Sequence, residues 1–167
     1  MKTQATKASQ IKREWHLFDA KTEILGRLSV KIAKLLMGKT KPYFVTNLDC
    51  GDYVVVVNAD KIGTTGRKLD KKIYYRHSGY PGGFRSLTLA QQMTKDPTQV
   101  IYKAVAGMLP QNKLKSKRLA RLKIFKDAKH DYEDKFKVKD ESNKKNKEEI
   151  VKKKVNKIKA KTIKKDK

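Results

Sequence analysis

The chain of 167 residues carries 42 Lys and Arg against 17 Asp and Glu, a formal net charge of +25. So large a field of one sign opposes the compact state of an ordinary cytosolic enzyme. It marks a protein that meets polyanions, either nucleic acid or an anionic membrane surface. At 38% hydrophobic the chain still has the apolar content for a core, which excludes a purely disordered basic tail. Its length fits one domain of roughly 100–150 residues with extensions.

The single cysteine, Cys50, excludes an internal disulfide, and no Cys-x-x-Cys pair is present to hold zinc. A reducing, intracellular compartment is the simplest reading. The longest aliphatic run, Val54 to Val57, is far shorter than the about 20 residues of a membrane span. Met1 to Arg13 has no apolar stretch and is not a secretory signal. It is basic and acid-free, as organellar transit peptides are, but short and weakly patterned.

Composition divides the chain into a basic arm, residues 1–13, a core, residues 14–132, and a Lys-rich extension, residues 133–167. Their formal charges are +4, +13 and +8. The core holds every Gly and Pro and all aromatics but Phe136. The extension is poor in large apolar residues and cannot offset its ordering entropy by burial, so it reads as solvated and disordered. Val151, Val155 and Ile158, at helical spacing, leave a basic amphipathic helix as the alternative, suited to an RNA groove or a lipid surface.

Within the core, Trp15 to Asp19 reads as a short strand. Leu25, Leu28, Ile32, Leu35 and Leu36 recur on one helical face, and Gly38 is placed to end that helix. The run from Tyr53 to Val57, within Asp52 to Asn58, has no polar alternation and fits a strand covered on both faces of a parallel sheet. Lys72 to His77 reads as another strand and Thr88 to Lys95 as a helix. Pro97 suits the first turn of a helix running through Ala104 to Leu109 and stopped by Pro110. A short basic helix from Lys115 to Arg121 precedes a last strand, Leu122 to Phe125. This alternation argues for a three-layer α/β domain.

Sequence motifs for enzymatic chemistry are lacking. Gly63-Thr64-Thr65-Gly66-Arg67-Lys68 has neither the glycine spacing nor the Lys-Ser/Thr ending of a phosphate loop and reads as a basic turn. His16, beside Trp15, reads as a packing residue. His130, between Asp127 and Glu133, reads as part of a solvated charged face rather than a metal site. No nucleophile–base constellation is legible, and no cofactor is expected.

Two segments suit RNA instead. In Arg76-His77-Ser78-Gly79-Tyr80-Pro81-Gly82-Gly83-Phe84-Arg85 the glycines allow bare backbone N–H groups to approach phosphates. Tyr74, Tyr75, Tyr80 and Phe84 alternate with Lys71, Lys72, Arg76 and Arg85, so rings can stack on splayed bases while guanidinium forks pair with phosphates. Strand alternation turns at least one of Tyr74 and Tyr75 toward the core. The second segment runs from Gly107-Met108-Leu109-Pro110 into Lys113, Lys115, Lys117, Arg118, Arg121 and Lys123, a cationic helical stripe with Leu114, Leu119 and Leu122 facing inward. Lys39 and Lys41, beyond the first helix, are of the same kind.

Several motifs stand in one order: Trp15 to Ala20, Leu25-Gly26-Arg27-Leu28, Gly38-Lys39, Gly51 to Ala59, Thr65-Gly66, Tyr74 to Gly83 and Ala104 to Pro110. Over about Lys12 to Phe125 the chain closely resembles bacterial-type large-subunit ribosomal protein thirteen, the universal L-thirteen family. That resemblance implies an α/β/α fold around a mostly parallel four-stranded sheet. It implies a structural, non-catalytic role in cytoplasmic ribosomes rather than organellar ones, and a part in subunit assembly and translation. The implied partners are large-subunit ribosomal RNA and neighbouring large-subunit proteins, with no membrane and no small-molecule substrate. RNA contact is implied for Arg76 to Arg85 and for Met108, Pro110, Lys113, Lys115, Lys117, Arg118 and Arg121. Lys39, Lys41, Arg67, Lys68, Lys71, Lys72 and Tyr74 complete the expected RNA-binding set. An independent basic nucleic-acid-binding or regulatory protein is the competing class. Lys115, where the family usually has Gly, and the lack of a His-x-His ending depart from the family pattern.

Overall fold

The computed structural model describes residues 5–136; the amphipathic pattern at Val151, Val155 and Ile158 lies outside them. Two compact units are present, Met1–His130 and Asp131–Lys167. In the first, the elements in chain order are β1 (Trp15–Asp19), α1 (Leu25–Met37), β2 (Tyr53–Val57), α2 (Lys68–Lys71), β3 (Ile73–His77), β4 (Phe84–Thr88), α3 (Leu89–Lys95), α4 (Pro97–Met108), α5 (Lys115–Ala120) and β5 (Leu122–Ile124). Of the second unit, residues 131–136 form a turn that enters helical backbone.

The valine run of β2 is the central strand of a parallel sheet ordered β1-β2-β5. Trp15 pairs with Tyr53 and Asp19 with Val57 on one side, and Val54 pairs with Leu122 on the other. Val54, Val55 and Val56 are fully buried, as a strand without polar alternation requires. Val54 and Val56 join Leu28, Ile32 and Leu36 of α1 and Val100, Ile101 and Val105 of α4 in one apolar cluster. The α/β class and the mostly parallel arrangement are as expected. The strand count is refined: the parallel sheet has three strands, and β3 and β4 form a separate antiparallel pair.

Helix boundaries follow from local chemistry. Gly38 closes α1 in the left-handed conformation (φ +79°), its N–H reaching the carbonyls of Lys34 and Leu35. A Cβ there would lie 2.6 Å from the Cys50 carbonyl oxygen, so only glycine suits both the turn and the close approach. Thr88 and Gln91 form a reciprocal capping box at α3, and Asp96 accepts from the Thr98 N–H at 3.0 Å ahead of Pro97 in α4.

Two carboxylates, buried Asp52 and half-buried Asp49, tie the segment before β2 to the rest. Asp49 receives a two-pronged fork from Arg121, one arm at 2.6 Å, with Arg118 Nε at 3.7 Å and Arg13 at 3.9 Å. Arg118 and Arg121 are 2% and 5% exposed. Gly51 is needed beside them, since a Cβ would lie 1.8 Å from the Leu36 carbonyl oxygen and 2.9 Å from an Arg121 nitrogen. Asp52 accepts from the Glu14 N–H at 2.8 Å, from Lys41 Nζ, and pairs with His16 Nε2 at 3.3 Å. His16 therefore does more than pack. Lys41 also donates to the carbonyls of Lys12 and Cys50, so it pins the basic arm to the domain.

Burial alone would raise both carboxyls, but their partners prevail. The hydrogen bonds and charge of Arg121, with Arg13 and Arg118, hold Asp49 below the ordinary 3.8. His16, Lys41 and the Glu14 N–H do the same for Asp52. Carboxyls with folded pKa values below their unfolded ones stabilise the fold fully above the unfolded value and lose that contribution as pH falls through the folded one. Urea midpoints are therefore expected to decline below about pH 4, and Asp52→Asn should make the decline shallower. Asp49→Ala strands two buried guanidinium groups and should cost about 3–5 kcal/mol in urea unfolding. Arg13→Gln, at the exposed edge of the same cluster, should cost less than about 1 kcal/mol.

Candidate nucleic-acid interface

The β3–β4 hairpin pairs Ile73 with Thr88 through to His77 with Phe84. Arg76 and His77 end β3, in line with the strand read from Lys72 to His77, while Phe84 and Arg85 begin a strand that the sequence reading lacks, and Ser78 to Gly83 make the connection. The β4 strand carries no strand signal of its own, since two glycines and a proline precede it and its Arg85-Ser86 centre is polar.

The tip is closely specified. Tyr80-Pro81-Gly82-Gly83 is a type II turn, with Pro at the second position, Gly82 at φ +71° and the Gly83 N–H donating to the Tyr80 carbonyl at 2.9 Å. Gly79, at φ +93°, donates its N–H to His77 Nδ1 at 2.9 Å. The Ser78 N–H donates to the Gly83 carbonyl at 3.2 Å, and a Cβ on Gly83 would lie 2.0 Å from Ser78 Oγ. Tyr80 stands 76% exposed at the apex.

Alternation gives the hairpin two unlike faces. One carries Ile73, Tyr75, His77, Phe84 and Ser86, with Tyr75 and Phe84 stacked at 5.5 Å between ring centroids. The other carries Tyr74, Arg76, Arg85 and Leu87. Arg76 and Arg85 are direct cross-strand partners, an arrangement of like charges that costs stability. Neither forms an ion pair with a carboxylate among the described residues. Tyr74 is half-buried, with Lys72 Nζ at 5.2 Å and Lys103 Nζ at 4.9 Å from its ring centroid; burial pushes its hydroxyl pKa up. This face borders a groove of about 830 Å³ whose far wall is Gln92 and Lys95 of α3 and Asp96, Gln99 and Lys103 leading into and along α4.

Lys95 and Lys103 were not singled out by sequence. The signal was present, since Lys95, Gln99 and Lys103 recur every four residues, but nothing in the sequence says which helical face meets the hairpin. Arg67, Lys68 and Lys71 are exposed around the Gly66 turn and α2, with Lys72 half-buried beside them. Together with Thr65 and Gly66 these four cations line one shallow depression. Lys39, Met108 and Pro110 are exposed and share a further depression with Phe44 and Asn112. Lys113 and Lys117 are exposed, and Lys115 is half-buried with its ammonium donating to Gln111 at 2.8 Å.

Three expected members belong elsewhere. Arg118 and Arg121 turn inward onto Asp49, and Lys41 is committed to Asp52 and two carbonyls. The arginines stand in the expected cationic stripe and Lys41 beside Lys39 past α1, but the carboxylate that claims the arginines lies more than 65 residues away in the chain. His130 is half-buried, its ring 6.0 Å from that of Phe125, rather than solvated.

Among the described residues no helix is long and apolar enough to cross a membrane, and no cluster of His, Cys, Asp or Glu is arranged to hold a metal. The family model for ribosomal protein L13 matches residues 13–131. Large ribosomal subunit protein uL13 of Dehalococcoides mccartyi is 55% identical over 130 residues, covering 78% of this chain and 91% of its own. The proteins of the same description from Roseiflexus sp. and Thermotoga petrophila are 52% and 49% identical over 130 and 132 residues, covering 78% and 79% of this chain and 89% of each relative. With a family match over most of its length and relatives at about half identity, the chain belongs to the ribosomal protein L13 family.

Proposed function

We propose that this chain is a structural, non-enzymatic constituent of the large ribosomal subunit, working in the cytoplasm. It binds large-subunit ribosomal RNA through the β3–β4 hairpin and the segment after Met108, and so supports subunit assembly and translation. Family membership supports the ribosomal role. The observation that carries the RNA reading is the cross-strand pair of Arg76 and Arg85, held side by side without a protein counter-charge. An arrangement that costs the free protein stability is explained by an anion that bridges it, and RNA phosphate supplies one at every nucleotide.

The chemistry is neutralisation and positioning. Guanidinium forks pair with phosphate oxygens, and each phosphate neutralised releases counterions, so affinity falls steeply with salt. The rigid tip presents Tyr80 for stacking on an unpaired base. Exposed Lys39, Lys113 and Lys117 add point charges beside Met108 and Pro110. Phosphate contacts of this kind fix register more than they read sequence.

A free-standing basic nucleic-acid binder is the competing class, and fractionation separates the two. The chain should remain on washed large subunits at salt that strips loosely held basic proteins; recovery only from the soluble or nucleoid fraction would refute the ribosomal role. For the hairpin, Arg76→Gln with Arg85→Gln should lower the slope of log affinity against log salt for a large-subunit ribosomal RNA fragment by about one to two units. An unchanged slope removes the hairpin from the interface.

A further inference from the structure

Resting on the RNA-binding reading, we infer that Lys95 and Lys103 join the hairpin to the Gly66 turn in one continuous track for RNA sugar–phosphate backbone, and that this track reads charge spacing rather than base identity.

Three depressions abut along this side of the domain. The first lies between Arg76 and Arg85 of the hairpin and Lys95 and Lys103 of the helices. Lys103 also lines the second, together with Lys68 and Lys72. Those two lysines in turn line the third, with Arg67 and Lys71. Lys103 is thus the junction, the residue common to the first and second depressions.

Eight cations line the three depressions, Arg67, Lys68, Lys71, Lys72, Arg76, Arg85, Lys95 and Lys103, against a single carboxylate. Asp96 is the one carboxylate among the residues lining the three depressions. Its Oδ1 caps α4, accepting from the Thr98 N–H at 3.0 Å and the Thr98 hydroxyl at 2.6 Å. None of the track cations forms an ion pair among the described residues. Lys72 and Lys103 are held over the Tyr74 ring, which positions two ammonium groups before any ligand arrives.

The aromatic chemistry decides between backbone and base. Surfaces that bind single strands through their bases offer free rings as stacking platforms. Tyr74 has its ring occupied by two ammonium groups and its hydroxyl buried without a hydrogen-bond partner. Tyr75, at the rim of the first depression, is stacked on Phe84. The second and third depressions have no aromatic side chain in their lining. What remains is a row of cations, which matches a row of phosphates.

The test uses the full chain and a large-subunit ribosomal RNA transcript over a salt series, with poly(U) and poly(C) as probes of base dependence and polyglutamate as a competitor. Lys95→Gln with Lys103→Gln should lower the salt slope for the transcript by about one to two units while the thermal midpoint stays within a few degrees of the parent. Lys103→Arg, which keeps the charge, should restore part of the loss. The affinity ratio of parent to double variant should be the same on poly(U) and poly(C). If the parent binds the transcript but the double variant keeps its slope, the track is refuted while the RNA-binding reading stands. A ratio that changes with base refutes backbone reading. If polyglutamate displaces the transcript at equal charge, the track fits an acidic protein segment and the inference fails. If the parent itself does not bind the transcript, the RNA-binding reading falls with it.

Discussion

Asp49 holds two guanidinium groups that the fold has taken out of water, and the arrangement of the domain follows from that contact. Arg118 and Arg121 come from α5 and its end, Asp49 from the loop before β2, and Arg13 from the basic arm. A single carboxylate therefore fastens three distant stretches of chain at the end of the central strand. In a protein of net charge +25, buried arginine without a partner would cost several kcal/mol for each charge. Asp52 repeats the device with Lys41 and His16.

These contacts also explain how so cationic a chain divides its charge. Four acids of the core are spent within the fold: Asp49 on two buried arginines, Asp52 on Lys41 and His16, Asp96 on the cap of α4, and Asp19 on the Lys21 N–H and the Asn58 side chain. Cations of the hairpin, of α2 and of the α3–α4 side are left without carboxylate partners. Where cations stand clear of acids is thus set by folding rather than by composition.

Backbone architecture was largely legible in the residues themselves. An unbroken valine run between Asp52 and Asn58 announces a buried central strand, and the spacing of Leu25, Leu28, Ile32 and Leu36 announces α1, because both depend on local periodicity. Pro97 and Gly38 fix helix ends through their own dihedral preferences. Polar β4 was not legible, since its pairing with β3 depends on a partner strand rather than on its own pattern. The site was legible in part. Arg76, Arg85 and the Tyr80-Pro81-Gly82-Gly83 turn declare themselves by chemistry and spacing. Arg118, Arg121 and Lys41 look the same in sequence as exposed cations, and only the return of Asp49 and Asp52 in three dimensions separates them. Lys103 shows the converse: an unremarkable helix lysine acquires importance from the ring it meets.

The hairpin tip has a consequence for speed as well as strength. Its proline, its two left-handed glycines and the Ser78–Gly83 bond leave the loop few other shapes to visit. A loop so held would lose little ordering entropy on meeting a ligand. Association of a polyanion with so fixed a loop should then be governed by how often long-range attraction brings it to the surface, as with a die rather than a hand that closes.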